Sequence, residues 1–343
     1  MRLRLKRLLI TAAIAVPLLG AAYVVPRLLN VEGYKPALSD AVKQATGREL
    51  VIDGPLKLTL LPVPRISARS VHFANAVGGT GAQMVEVQWV GASPSWSALL
   101  QGRVEVGKLT LYKPVIVLET DADGVPNWEF KPGAGGEQPK GAPSEGLHLA
   151  VGQLDIIDGT LSYTYPLTGK TIKAEQVKAT ASVGSLKGPF SIDGSATVNG
   201  VPLSLAISVH APRDDGANDA KLVVKVPSGH LTFDGRASAV APDATISGRL
   251  QVTTGGLTDF ISALVRAIGE PLPAFDTSVV GSFAFDGGIE ISPTRLAIND
   301  FKASLGGDSA AGTLALTQGK QPSLQGKLSL RQVDLDKWLE LLA

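Results

Sequence analysis

The chain has no cysteine. That excludes disulfide staples, thiolate metal sites and a lipoprotein acylation cysteine, and it suits an oxidising compartment where stray thiols are a hazard. Charge is scarce as well: 18% of residues are Asp, Glu, Lys or Arg, against about 25% in an average globular domain. A net charge of +1 gives no basic surface for nucleic acid. The histidines His72, His148, His210 and His230 are scattered and show no metal-ligand spacing. There is no G-x-S-x-G elbow, Walker loop or dinucleotide fingerprint. Gly78-Gly79-Thr80-Gly81 lacks the strand-to-helix context of a phosphate cradle. Two close carboxylate pairs remain, Asp121 with Asp123 and Asp334 with Asp336. The first belongs to an Asp-Ala-Asp-Gly turn, and the second precedes a helical segment whose amides an aspartate caps. Neither calls for catalysis, and the reading is a non-enzyme with no cofactor and no metal.

What the chain does have is turn residues, 38 glycines and 22 prolines, among many Val, Leu, Ile and Thr. That is the composition of a mainly β protein with many short strands. One long apolar run stands apart. Leu8–Val25 carries no charged residue and follows Arg2, Arg4, Lys6 and Arg7. A bilayer core of roughly 30 Å takes about 20 apolar residues in a helix, so the run reads as a single-pass anchor. The basic flank places the N-terminus in the cytoplasm and the remainder outside it. A signal peptide cut near Leu19–Ala22 is the other reading, but the apolar core of such a peptide is typically about 7–15 residues.

Beyond residues 1–30, Tyr34–Thr46 has helical spacing and Gly47 stops it. The period then becomes two. Leu56, Leu58 and Leu60 alternate with polar residues, as do Val85, Val87 and Trp89. Between Trp96 and Phe130, Val106 and Leu111 fall in register if Gly107 forms a bulge. Pro114 is read as the end of that strand, and Val115–Leu118, with Val117, as the next. The pattern divides the chain into a helix-and-strand region at 31–130, a Gly/Pro-rich linker or loop at 131–146, and a repeated β-hairpin region at 147–343. In the last, Asp158-Gly159, Asp193-Gly194, Asn199-Gly200, Asp234-Gly235 and Asp286-Gly287 read as hairpin turns. Helices are expected at Leu257–Ile268 and Leu335–Leu342. Gly248-Arg249-Leu250-Gln251-Val252 and the Leu257, Phe260, Ile261 and Leu264 after it match Gly326 to Leu330 and Leu335, Trp338, Leu339 and Leu342, at a constant offset of 78. A repeated strand-then-helix unit extends a structure in one direction.

Several short motifs resemble the AsmA family. They are Gly47-Arg48-Glu49-Leu50 with Gly54-Pro55-Leu56, Leu61-Pro62, Val71-His72-Phe73-Ala74-Asn75, Leu99–Val106, Leu111-Tyr112-Lys113-Pro114, Gly124-Val125-Pro126-Asn127-Trp128 and the closing Val333-Asp334-Leu335-Asp336. The resemblance is specific over about Leu8–Phe130 and looser beyond. It implies an inner-membrane protein facing the periplasm of a diderm bacterium. The implied fold is a bridge-like lipid transfer fold: a transmembrane helix, then an elongated, twisted antiparallel β-sheet curled into a groove, with a few short helices. It also implies phospholipid as cargo, moving between inner and outer membrane, with Val106, Leu111, Val117 and Leu328 as candidate lipid-facing residues. The alternative is an assembly factor or scaffold for outer-membrane proteins, with outer-membrane or periplasmic proteins as partners. By residue pattern alone, a closed β-sandwich core produces the same alternation as an open groove.

Overall fold

The computed structural model describes residues 30–61, 63–95, 105–121, 124–130, 152–165, 169–183, 189–239, 244–270, 281–319 and 322–331. The expected anchor at Leu8–Val25, the Gly/Pro-rich linker or loop at 131–146 and the expected helix at Leu335–Leu342 lie outside these residues. Among the described residues, no helix is long and apolar enough to cross a membrane. The chain is mainly β and divides into two compact units, one up to Gly169 and one from Lys170 on.

The N-terminal unit opens with a 3-10 turn at Val31–Tyr34 and helix α1 at Lys35–Thr46. Pro36 sits in its first turn, where no amide partner is lost. Gly47 ends it in the left-handed conformation (φ 74°) and donates its N–H to the Lys43 carbonyl at 2.8 Å. Strands β1 (Leu50–Ile52) and β2 (Leu56–Thr59) both pair with β3 (Arg65–Ala74). Next come β4 (Gln83–Pro94), β5 (Val106–Glu119) and β6 (Gln153–Thr164). Pairing is antiparallel except for β5 with β6, which run parallel. The expectation of a wholly antiparallel sheet is corrected here. The stretch from Thr120 to Gly152 is long enough for the crossover that a parallel pair requires.

The bulge at Gly107 is present: Ser93 faces Lys108 and Pro94 faces Val106, which leaves Gly107 as the extra residue. Pro114, however, does not end a strand. It lies buried inside β5, opposite Val87. The apparent break comes from Lys113, which holds a left-handed backbone (φ 49°), as Ser70 (49°) does in β3 and Asp158 (58°) in β6. The registers put these residues at one level of the sheet, Ser70 and Lys113 on either side of Gln88 and Asp158 beside Lys113. Each shifts the alternation by one, so inward residues stand three apart: Ala68 and Val71, Val87 and Val90, Leu111 and Pro114. The buried core of Leu56, Ala68, Val71 and Val87 draws on both sides of this crease, with Val31, Leu50, Val85, Val90 and Leu111 packed against it. A proline is tolerated beside such an interruption because the ladder is already broken there.

The C-terminal unit is a ten-stranded antiparallel meander in chain order. Its strands are β7 (Thr171–Val183), β8 (Phe190–Val198), β9 (Val201–Val209), β10 (Asn218–Val226), β11 (Gly229–Ala237), β12 (Ile246–Thr254), β13 (Phe283–Ser292), β14 (Arg295–Leu305), β15 (Asp308–Thr317) and β16 (Ser323–Arg331). Helix α2 (Leu257–Ala267) follows β12, as its spacing predicts. Asn199-Gly200 makes a two-residue hairpin, with both φ values positive (46° and 81°). The Asp-Gly pairs do not. Asp158-Gly159, Asp193-Gly194, Asp234-Gly235 and Asp286-Gly287 lie inside strands β6, β8, β11 and β13. In the C-terminal unit, packing explains them. A Cβ on Gly194 would stand 2.7 Å from the Lys178 carbonyl oxygen, and one on Gly287 would stand 2.7 Å from the Phe301 Cβ. The aspartates point the other way, Asp234 towards Lys221 (4.0 Å) and Asp286 to Arg249 (2.5 Å).

Candidate functional site: a one-sided apolar sheet

Strand register sorts the C-terminal unit into two faces. Ile207, Leu222, Phe233 and Leu250 stand directly opposite one another in turn on β9, β10, β11 and β12. Farther along the strands a second row runs Ile246, Ile291, Leu296, Leu316 and Leu324 across β12 to β16. One residue away, on the other face, Ser208, Lys221, Asp234 and Arg249 form the corresponding row. Glycines keep the apolar face low. A Cβ at Gly248 would come within 2.8 Å of the Phe233 ring, so that ring lies over the sheet. Phe285 and Phe301 stack beside Gly287 with centroids 6.0 Å apart.

Helix α2 covers one end of this face. Phe260 and Ala267 are buried against Val201 and Val226, flanked by Val198, Leu203, Leu231 and Val252. The helix is held there by Asn199, whose Nδ2 donates to the carbonyls of Ala267 (3.0 Å) and Arg266 (3.4 Å). A Lys170–Glu270 ion pair at 2.7 Å adds to this. At the other end of the strands Ile192, Ile246, Ile291 and Leu296 are exposed by 37–41%. On β16 the exposure of Leu324, Leu328 and Leu330 rises to 55–72%. Apolar side chains in rows and partly open to solvent are what mark an interaction surface. The polar face of β11 to β16 carries a shallow depression of about 650 Å³ lined by His230, Gln251, Asp286, Lys302, Ser309 and Arg331.

The residues singled out from the sequence fall in different places. Val106 and Leu111 share the face of the N-terminal core, because Pro94 and Val90, their partners, lie on one side of β4. Leu111 packs against that core. Val117 lies on the opposite face, since its neighbour Ile116 pairs with core-facing Val85 and the Lys113 crease has reversed the alternation. Leu328 is on the open apolar face of β16, opposite Gly312. The four therefore do not line one surface of one unit.

The N-terminal unit also holds a polar cluster that composition and spacing did not reveal. Glu119 is buried and, among the described residues, makes no ion pair. Its carboxylate accepts hydrogen bonds from Asn75 Nδ2 (2.6 Å), the Thr80 N–H (3.0 Å) and the Thr80 hydroxyl (2.5 Å). Asn127 donates to Asn75 Oδ1 and to the Val117 carbonyl, both at 2.9 Å. Burial pushes the Glu119 carboxyl up, yet the Thr80 and Asn75 bonds together outweigh it and hold it below its ordinary value. Asn75 closes one of the motifs quoted above and Asn127 stands next to last in another, and here those motifs are joined. Asp121 does shape a turn, accepting the Val125 N–H at 2.8 Å. Asp123, Asp334 and Asp336 lie outside the described residues. Among the described residues, no group of His, Asp and Glu could hold a metal.

This is a mainly β protein whose most developed surface is an open, one-sided apolar sheet. The AsmA family model matches residues 1–266, and the chain belongs to the AsmA family. No curated protein and no solved structure matches it.

Proposed function

We propose that the chain is a conduit anchored in the inner membrane that carries phospholipid along its apolar sheet face through the periplasm, between inner and outer membrane. The observation that carries this reading is the row from Ile246 to Leu324: five strands, no charged side chain, and side chains left partly open. A closed sandwich would bury such a row under a second sheet. Acyl chains laid across it gain about 0.8 kcal/mol for each CH₂ withdrawn from water. A lipid leaving a bilayer surrenders nearly the same amount, so the net affinity is low and movement along the rows is easy. Head groups stay wet at the rim. Arg2, Arg4, Lys6 and Arg7 before Leu8–Val25 support the orientation.

The test is bound lipid. The full chain, extracted in non-ionic detergent and purified, is expected to retain phospholipid by mass spectrometry and to exchange it for a fluorescent phospholipid. Lipid no higher than in a detergent blank overturns the proposal. One observation favours the alternative of an outer-membrane protein assembly factor: among the described residues β16 is paired on one side only, and every residue of it is exposed. Such an edge is competent to pair with an incoming strand, and capture of an outer-membrane β-protein at Lys327 in place of lipid at Leu328 would favour it.

A further inference from the structure

A second feature of the N-terminal unit centres on Arg48. It follows the Gly47 cap of α1 and is half-buried in the wall of a cavity of about 850 Å³ in the N-terminal unit. Its Nη2 donates to the Glu129 carbonyl at 3.3 Å, and its Nη1 rests 3.4 Å from the Met84 sulfur. Its guanidinium lies 5.2 Å over the Phe130 ring, which Phe73 supports edge-on at 5.8 Å. Among the described residues no ion pair involves Arg48, and burial alone lowers its pKa.

An arginine with a purely structural role takes a carboxylate when one is at hand. Glu49 is next to it in the chain, and the Glu129 backbone already touches it, yet neither carboxylate engages it. A guanidinium stacked on an aromatic face keeps a planar, multi-donor edge for a phosphate. The remaining charges narrow the ligand. Glu49, Glu119, Asp121 and Glu129 line the cavity against Lys43 and Arg48, so a purely anionic ligand meets a net negative wall. Glu119 is already engaged on both oxygens by Asn75 and Thr80. A ligand carrying both a phosphate and an ammonium matches both signs.

We propose that this cavity binds the zwitterionic head group of an ethanolamine-type phospholipid, with the phosphate diester on Arg48 and the ammonium between Glu49 and Glu129. The inference rests on the phospholipid reading and adds a head-group preference and an entry site next to the helix that follows the anchor. The cavity lies within the range of about 300–1,000 Å³ usual for small-ligand sites, with room for the glycerol backbone.

The test titrates the full chain in non-ionic detergent with three water-soluble probes: glycerophosphoethanolamine, glycerophosphoglycerol and inorganic phosphate. Glycerophosphoethanolamine is expected to bind in preference to the other two. Arg48→Lys keeps the charge and is expected to weaken it by about tenfold or more through loss of the planar fork. Glu49→Gln with Glu129→Gln is expected to erase the preference while leaving glycerophosphoglycerol binding in place. Equal binding of inorganic phosphate would reveal a free-phosphate site and overturn the assignment, as would no binding of any probe, or an Arg48→Lys variant with native affinity and a native melting curve. If the purified chain still holds phospholipid while the probes fail, this inference falls and the conduit stands.

Discussion

A carboxylate placed in the open row is the sharpest perturbation of the proposed path. Leu296 stands opposite Ile291 on one side and Leu316 on the other, and is 40% exposed. Full burial of a leucine stabilises by about 1.5–3 kcal/mol, so replacing this partly exposed one costs roughly 1–2 kcal/mol of stability. The effect on cargo is larger. A carboxylate there denies apolar contact to about three or four methylenes at about 0.8 kcal/mol each, or roughly 2.5–3 kcal/mol. That corresponds to about a hundredfold lower occupancy at this point of the path. Leu296→Asp should therefore lose fluorescent-phospholipid binding, whereas Leu296→Ser, with a similar loss of packing and no charge, should keep most of it. Thr313→Asp on the polar face of β15 should change nothing. Equal lipid binding by Leu296→Asp and the native chain, at equal folded protein, would refute the reasoning.

Other consequences concern the frame around the site. Gly79→Ala drives a Cβ into Asn75 and to 2.6 Å from Glu119 Oε1, and should cost about 2–3 kcal/mol in chemical denaturation by breaking the buried cluster. Because the folded-state pKa of Glu119 is depressed from 4.5, its contribution is fully present above about pH 4.5 and is lost as pH falls through the lower folded value. Stability measured from pH 6 downward should fall less steeply in Glu119→Gln than in the native chain. Phe260→Ala empties the contact of α2 with Val201 and Val226; it should cost about 3–5 kcal/mol and raise hydrogen exchange across Leu257–Ala267.

Much of the fold was legible because one-sided strands write their burial as a period of two. Gly107 could be placed as a bulge from Val106, Leu109 and Leu111 alone, and Gly47 from its position after the helical spacing. Where the reading failed, two structures share one spelling. Asp-Gly serves a tight turn through glycine's positive φ, but in β8, β11 and β13 it serves a flat face, with glycine under a neighbour and aspartate outward. The left-handed backbone at Lys113 has no residue signature, so its phase reversal passed for a strand end at Pro114. The parallel pairing of β5 with β6 was hidden because the connection carries no register information. The Asn75–Glu119–Asn127 cluster escaped because neutral donors spread along the chain have no spacing rule. The recurrence of Asn near the end of two short motifs was the available signal. The apolar face itself was visible in outline, but which strands share it, and where α2 covers it, depends on register.

Site-specific photo-crosslinking in cells tests the central claim most directly, with the probe placed in turn at Leu296, Leu324 and Leu328 on the apolar face and at Lys302, Thr313 and Lys327 on the polar face. The account predicts phospholipid adducts at the first three positions and none at the others. Lipid on both faces alike, or on neither, would contradict it.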